Sequence, residues 1–184
     1  MSDSPAANVK ILIVPGLYNS GPEHWQRIWA KQNPGFGVIE QRNWDTPSCE
    51  DWISTIDDAV RKSSEPVLLI GHSLGSIAIV HWASVYKRSL AGALLVAPSD
   101  TEELSFPPGT SGFSPIPLAV LQFPSIMVVS NNDHYLSLPR AHQLAGSWGS
   151  SLVDLGPKGH ISVADGFGPW PEGLAYVEQL SRTL

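Results

Sequence analysis

Short apolar runs alternate with longer amphipathic stretches along this chain. The apolar runs are rich in aliphatic residues and end at glycine, proline or polar clusters, which is typical of strands buried in a sheet. They predict strands at residues 9–14, 36–40, 67–70, 90–96, 125–129 and 151–155. Between them, apolar residues recur at helical spacing. This spacing predicts helices from Pro22 to about 32, over 48–62, over 77–85, over 138–148 and over 171–184.

Strands that alternate with helices predict right-handed βαβ units and therefore an α/β fold, a parallel sheet covered by helices on both faces. Ligands of such sheets bind outside the carboxyl ends of the strands. Residues 99–121 interrupt the alternation with four prolines and two glycines. Ordered loops of this length often serve as binding loops or lids, so we expect this one near the active site.

Length and composition narrow the class of protein. A chain of 184 residues predicts one domain over 1–184, with residues 1–8 as a flexible tail. The net charge of −6 and the lack of a basic run argue against a nucleic-acid or membrane-surface partner. The one cysteine, Cys49, leaves no internal disulfide and fits a reducing compartment. With a polar start and no run of membrane-spanning length, we expect a cytoplasmic protein.

The sequence Gly71-His72-Ser73-Leu74-Gly75 is the strongest chemical signal. It lies between a predicted strand and a predicted helix, which is the context of a nucleophile elbow. Glycines at 71 and 75 let strand and helix approach closely beside the turn. The bare G-x-S-x-G pattern also arises by chance, but its flanking strand and helix favour Ser73 as a nucleophile over a structural turn.

A serine nucleophile needs a base, and the base needs an acid to orient it. His160 follows the sixth predicted strand in a glycine-rich loop and is our candidate base. Asp133 follows the fifth strand and is our candidate acid, because the order serine, acid, histidine is that of α/β-hydrolases. Asp100, after the fourth strand, is the alternative acid. Asp165 lies too close to His160 to orient it and is expected to bind or cap the loop.

The remaining candidate residues surround these three. Two backbone N–H groups must stabilise the oxyanion, one from the residue after the nucleophile and one from the loop after the first strand. We assign the first to Leu74 and the second to Leu17, with Tyr18 as its alternative. The predicted substrate contacts are Tyr18, His24, His72 and Phe113. The histidines are dispersed without metal-ligand spacing, and no nucleotide-binding pattern follows a strand, so we expect neither metal nor cofactor.

The chain resembles the small serine hydrolases of the α/β-hydrolase superfamily that are grouped with retinoblastoma-binding protein 9, and in particular its bacterial, YdeN-like branch. The resemblance covers nearly the whole chain and rests on the following residues: Val14-Pro15-Gly16, Trp25, Trp44, the elbow, Ser130-Asn131-Asn132-Asp133, Gly159-His160-Ile161 and Gly168-Pro169-Trp170-Pro171-Glu172-Gly173.

This resemblance implies a minimal α/β-hydrolase with strand order 2-1-3-4-5-6 and no large cap domain. It also implies Ser73, Asp133 and His160 as a triad, in agreement with the interpretation of the residues themselves. The chain has Pro15-Gly16 where such enzymes often carry His-Gly, so the second oxyanion donor stays open between Leu17 and Tyr18.

We therefore expect a cofactor-free serine hydrolase that cleaves small acyl substrates, with an ester favoured over an amide, a peptide or a thioester. The alternative is a protein-interaction module on a hydrolase scaffold, since fold alone does not determine function. A protein partner is compatible with the sequence, although no residue indicates one.

Overall fold

The computed structural model describes residues 9–182. The predicted tail at 1–8 and the predicted last two residues of the final helix lie outside this range. Within it the strands are β1 Lys10–Val14, β2 Phe36–Val38, β3 Val67–His72, β4 Gly92–Val96, β5 Ser125–Val129 and β6 Ser151–Asp154. The α-helices are α1 Trp25–Gln32, α2 Cys49–Arg61, α3 Leu74–Tyr86, α4 Leu138–Trp148 and α5 Pro171–Ser181.

The described strands form one parallel sheet in the order β2-β1-β3-β4-β5-β6. This confirms both the α/β class and the strand order that the resemblance implied. β2 is added on one side of β1, and β3 and the later strands are added on the other side. The strand order therefore reverses at β1 and β3, which lie side by side at the topological switch point. The carboxyl ends of β1 and β3 are where an open parallel sheet forms its binding crevice.

Two hydrophobic layers cover the sheet. Alternate residues of each central strand face opposite ways, so Leu69 packs with α2, α3 and α4, while Leu68 and Ile70 pack with α1 and α5. Both layers are buried, which is why the central strands are continuous apolar runs and not alternating ones. The sheet thereby forms a rigid platform for the loops at its carboxyl edge.

The first helix begins later than predicted. Pro22 lies in a turn that the His24 N–H closes by donating to the Gly21 carbonyl, and the helix starts at Trp25. His24 is the N-cap, because its Nδ1 accepts a hydrogen bond from the Gln26 N–H at 3.2 Å. Histidine was not expected there, since serine, threonine, asparagine and aspartate are the preferred N-caps.

Residues 99–121 contain neither helix nor strand, as predicted, apart from one bridge between Ser111 and Ser48. The loop is anchored by buried side chains of its own, Phe113 and Ile116. Its start, at Ser99, and the pair Phe106 and Pro107 reach the carboxyl edge of the sheet. No helix within residues 9–182 is both long enough and apolar enough to span a bilayer.

Candidate active site

The turn between β3 and α3 holds Ser73 in an unusual conformation, with φ 56° and ψ −126°. A Cβ on Gly71 would lie 2.6 Å from the Ser76 Cα, and a Cβ on Gly75 would collide with the Val14 carbonyl oxygen. Glycine is therefore required at both positions by close backbone approach, as predicted. The geometry is that of a nucleophile elbow, with the serine side chain held above the sheet edge.

A hydrogen-bonded chain joins Ser73, His160 and Asp133. The Ser73 Oγ lies 2.8 Å from His160 Nε2, and His160 Nδ1 lies 2.9 and 3.0 Å from the two oxygens of Asp133. The Asp133 side chain is 1% exposed, and its Oδ1 also accepts the Tyr135 N–H at 2.9 Å. A buried carboxylate on Nδ1 fixes the ring with its Nε2 lone pair directed at the serine hydroxyl.

Asp100, the alternative acid, has a different partner. Its carboxylate accepts a hydrogen bond from Arg140 Nε of α4 at 3.0 Å, and it is also buried. Its backbone N–H donates to the Tyr135 carbonyl at 2.8 Å, which ties the end of β4 to the segment that carries Asp133. Of the two acids considered from the sequence, the structure brings Asp133 to the histidine.

Hydrogen bonds within the loop and to neighbouring segments hold the loop that carries His160. One carboxylate oxygen of Asp165 accepts the His160 N–H at 3.0 Å and the Ser162 hydroxyl at 2.7 Å. Asn132 Oδ1 accepts the Gly159 N–H at 2.7 Å, and Trp25 Nε1 donates to the Ile161 carbonyl at 3.0 Å. Asp165 thus binds the loop, as predicted, and does not orient the histidine ring.

Two further histidines pack beside His160. His72 Nε2 lies 2.8 Å from the His160 carbonyl oxygen, which can only accept, so His72 is the donor. The His72 ring centroid lies 4.9 Å from that of His160 and 4.8 Å from that of His24. Burial, together with the neighbouring charge of His160, lowers the pKa of His24 to about 4 and that of His72 well below its ordinary range. Both rings are therefore neutral at pH 7, so neither opposes a positive charge on His160.

Two backbone amides near the nucleophile, those of Leu17 and Leu74, are available as oxyanion donors. The Tyr18 N–H donates to the Trp44 carbonyl at 2.9 Å, whereas the Leu17 N–H has no hydrogen-bond partner among residues 9–182. Leu74 is the first residue of α3, where helix geometry leaves its N–H free. Of the two candidates for the second oxyanion donor, Leu17 is the one with an available amide. Gly16 brings this loop close, since a Cβ there would lie 2.9 Å from the Ser73 Cβ.

An open cavity of about 400 Å³ surrounds the Ser73 hydroxyl. Three of the four predicted substrate contacts, Tyr18, His24 and His72, line it. Other lining residues come from four loops at the sheet edge: Gly16, Leu17, Asn19, Ser20, Ser99, Phe106, Pro107, His134, Tyr135, His160, Ser162, Ala164 and Asp165.

Phe113 does not line this cavity, and our prediction for it needs correction. Its side chain is 1% exposed and packs edge-on against Trp52 and His81, in the layer beneath α2 and α3. Phe106 and Pro107 of the same loop line the cavity instead. A loop without periodicity does not reveal which of its aromatic residues faces inward.

Sequence reasoning missed one residue at the reacting atoms. The Ser99 Oγ lies 2.8 Å from the Ser73 Oγ, and Ser99 is 1% exposed. The available signal was its place just beyond β4, at the same edge as the elbow, which had drawn attention to Asp100 instead.

Other features of the site carry less chemistry. Burial raises the pKa of the Cys49 thiol to about 12, so this cysteine is not an activated nucleophile. Among residues 9–182, no three histidine, cysteine, aspartate or glutamate side chains cluster as metal ligands. A larger cavity of about 570 Å³ lies elsewhere, between the end of α3 and residues 117–123, and includes none of the candidate site residues.

The parallel sheet, the elbow after β3 and the serine–histidine–aspartate chain define the α/β-hydrolase class. The model of the serine hydrolase family matches residues 11–179, so the chain belongs to that family. The resemblance inferred from sequence is thereby confirmed, and the protein is a hydrolase.

Solved structures agree with this assignment. A YdeN-like hydrolase from Pectobacterium atrosepticum is 34% identical, with a TM-score of 0.85 over 95% of this chain and 91% of that one. The ydeN gene product of Bacillus subtilis is 20% identical, with a TM-score of 0.73 over 94% and 98% of the two chains. A monoacylglycerol lipase from Paleococcus ferrophilus is 14% identical, with a TM-score of 0.69 over 94% and 93%, and shares the fold. No curated protein matched the sequence.

Proposed function

We propose that this protein is an esterase that cleaves small, uncharged acyl substrates through an acyl-enzyme on Ser73. The observation that carries the proposal is the unbroken hydrogen-bonded chain from Ser73 through His160 to the buried Asp133. A hydroxyl 2.8 Å from an oriented imidazole is placed to lose its proton as it attacks a carbonyl.

In the first half-reaction the Ser73 Oγ attacks the carbonyl carbon, and its proton passes to His160 Nε2. Asp133 stabilises the imidazolium that forms, and the Leu74 and Leu17 N–H groups donate to the oxyanion. When the tetrahedral intermediate collapses, His160 gives the proton to the departing alcohol. The neighbouring His72 and His24 rings are neutral, so they do not repel the positively charged His160 imidazolium.

In the second half-reaction, water attacks the acyl carbon and transfers a proton to His160 Nε2. The bond between the acyl carbon and Ser73 Oγ then breaks, and the oxygen recovers its proton from His160. The free acid leaves, and the enzyme returns to its starting state. No cofactor is needed to balance these steps.

The cavity supports the choice of a small substrate. About 400 Å³ beside the nucleophile accommodates a short acyl or aryl group, and the lining residues present Phe106, Pro107 and Tyr135 as apolar surface. The opening is not covered by a separate lid domain within residues 9–182. An ester is favoured over a peptide, because a cavity of about 400 Å³ fits a small acyl group better than an extended peptide chain.

Labelling with a fluorophosphonate tests this proposal directly. We expect one adduct per chain, mapped to Ser73 by peptide mass, together with hydrolysis of p-nitrophenyl acetate. Ser73→Ala should give no adduct, and His160→Gln should lower the labelling rate and the kcat about 10³-fold or more.

Ser84→Ala is the matched control, because Ser84 is an exposed serine of α3, the helix that follows the nucleophile. It should be labelled at the wild-type rate. A folded wild-type protein that is neither labelled nor active on the ester would overturn the proposal and favour the interaction-module alternative.

A further inference from the structure

A second hydroxyl contacts the nucleophile of the proposed mechanism. The Ser99 Oγ lies 2.8 Å from the Ser73 Oγ, on a residue that is 1% exposed. None of the steps described above uses this contact. A buried hydroxyl that is hydrogen-bonded to the reacting atom can change the reaction rate directly.

The number of hydrogen atoms decides the direction of this hydrogen bond. Ser73 has one hydroxyl hydrogen, and the base His160 at 2.8 Å must receive it for the serine to be activated. Ser73 Oγ is therefore an acceptor toward its other neighbour. Ser99 is the donor, with its O–H directed at the nucleophilic oxygen.

We propose that Ser99 is a further catalytic residue, which donates a hydrogen bond to the Ser73 Oγ during both half-reactions. The proposal rests on the function proposed above. It assigns Ser99 two effects: it fixes the Ser73 side chain in the orientation that faces His160, and it stabilises negative charge on Oγ. The second effect is largest in deacylation, when the bond from the acyl carbon to Oγ breaks and the electron pair returns to Oγ before His160 reprotonates it.

The fold holds Ser99 in place from both sides. On one side, Ala97 at the end of β4 takes up a left-handed conformation with φ 42°, and its N–H donates to the Val128 carbonyl of β5. On the other side, Asp100 is buried and paired with Arg140 of α4. A residue fixed in this way loses little further freedom when it makes a catalytic hydrogen bond.

Asp100 also connects Ser99 and Ser73 to the rest of the site. The Asp100 N–H donates to the Tyr135 carbonyl, and the Tyr135 N–H donates to Asp133 Oδ1. Asp133 binds His160, which binds Ser73. Together with the backbone between them, these hydrogen bonds form a closed ring that starts and ends at Ser99. The contacts that position the Asp133 carboxylate therefore also fix the distance between the Ser99 and Ser73 hydroxyls.

Substitution of Ser99 tests the proposal. Ser99→Ala should lower the kcat for p-nitrophenyl acetate about tenfold, the effect of one hydrogen bond to a reacting atom, and KM should fall with it, because slower deacylation lowers both quantities. The fluorophosphonate labelling rate should fall as well, and a burst of p-nitrophenol should become more pronounced, because deacylation is slowed more than acylation. Ser99→Cys keeps the shape with a weaker donor and should have intermediate activity.

Thermal unfolding and circular dichroism show whether each variant is folded, and Ser84→Ala serves again as the control. Wild-type kcat and labelling rate in Ser99→Ala would overturn the role of Ser99, while labelled wild-type protein would leave the esterase proposal standing. Equal losses in Ser99→Ala and Ser99→Cys that follow a fall in Tm would also overturn it, because they would indicate packing. An unlabelled wild-type protein would overturn both proposals together.

Discussion

At the scale of single residues, the site is built from conformations that most sequences avoid. Ser73 has φ 56° and ψ −126°. For a residue with a Cβ, adopting such a backbone conformation costs on the order of 1–3 kcal/mol of conformational free energy. The surrounding structure imposes it, because Gly71 and Gly75 allow β3 and α3 to meet without side chains between them. The strain lies at the residue that carries the proposed chemistry, which is where functional strain is usually found.

Buried histidines give this site a residue-scale dependence on pH. Burial lowers the pKa of His24 from 6.5 to about 4. Between these values the unfolded chain binds a proton at this position and the folded chain does not, so the free energy of unfolding falls as the pH falls from 6.5 toward 4. Stability from this histidine is complete above pH 6.5. His72 shifts in the same direction and adds to the loss.

His24→Asn removes the titrating ring and retains an N-cap acceptor. The free energy of unfolding of the wild type should decline by up to about 1.4 kcal/mol per pH unit and per buried histidine below pH 6.5. The variant should decline less steeply. Urea midpoints at pH 7.5, 5.5 and 4.5 measure this, with the exposed His142→Asn as control. Equal slopes in wild type and His24→Asn would contradict the account.

At the scale of elements, periodicity identified the strands and helices but not all of their ends. The predicted strands 36–40, 90–96 and 151–155 are each shorter in the structure. Ile39, just after β2, is buried and its N–H still donates to the Ile13 carbonyl of β1, so neither burial nor hydrogen bonding stops sharply where the strand ends. The start of α1 was predicted too early, because the helix is capped by a histidine, His24, which is not a usual N-cap.

Helices α2 and α3 are joined by a buried polar contact that hydrophobic patterning does not reveal. Asp57 of α2 accepts hydrogen bonds from Trp82 Nε1 of α3 at 3.2 Å and from Arg88 Nε at 2.6 Å. Burial by itself would raise the pKa of Asp57, but the hydrogen bonds from Arg88 and Trp82 lower it overall. The carboxylate therefore stays charged and connects the two helices.

Asp57→Ala should lower the free energy of unfolding by about 2 kcal/mol, because it leaves the buried Trp82 N–H without its acceptor. Urea unfolding at pH 7 measures the change. The neighbouring Asp58→Ala is the matched control, since the Asp58 side chain is 62% exposed and its pair with Arg61 is open to water. The Asp58 variant should change stability by less than about 0.5 kcal/mol. Similar losses in both variants would show that the Trp82 contact contributes little.

At the scale of the whole molecule, charge favours neutral substrates. The chain has a net charge of −6, and no lysine or arginine lines the cavity among the described residues. Asp165 is the acidic residue at its wall. A negatively charged acyl group would enter a negative field and find no cation to pair with.

We therefore predict that p-nitrophenyl pentanoate is hydrolysed with a kcat/KM about tenfold or more above that of p-nitrophenyl hemiglutarate, which has the same chain length and a terminal carboxylate. Added salt should narrow the ratio, because it screens the repulsion. Steady-state rates at low and high ionic strength provide the measurement. An equal or higher kcat/KM for the anionic ester would contradict the prediction.

From the amino-acid sequence we could predict the succession of strands and helices along the chain, the elbow and, through a resemblance, the family. The elements and the elbow follow from local patterns, since burial on both faces requires continuous apolar strands and a tight strand–helix turn requires glycines, whereas the family follows from the resemblance of its motifs. The candidate triad of Ser73, Asp133 and His160 also followed from their places after β3, β5 and β6, and their catalytic roles stay predictions that labelling and substitution will test.

Which of several candidate residues lie close together is known only from the folded chain. It brought Asp133 and not Asp100 to His160, left the amide of Leu17 and not that of Tyr18 available, buried Phe113 away from the cavity and placed Ser99 on the nucleophile. Each outcome depends on contacts between segments far apart in the chain, and on ångström-scale directions of loop residues. Periodicity and turn chemistry act over a few neighbouring residues, so they suggest candidates for such contacts but do not determine them.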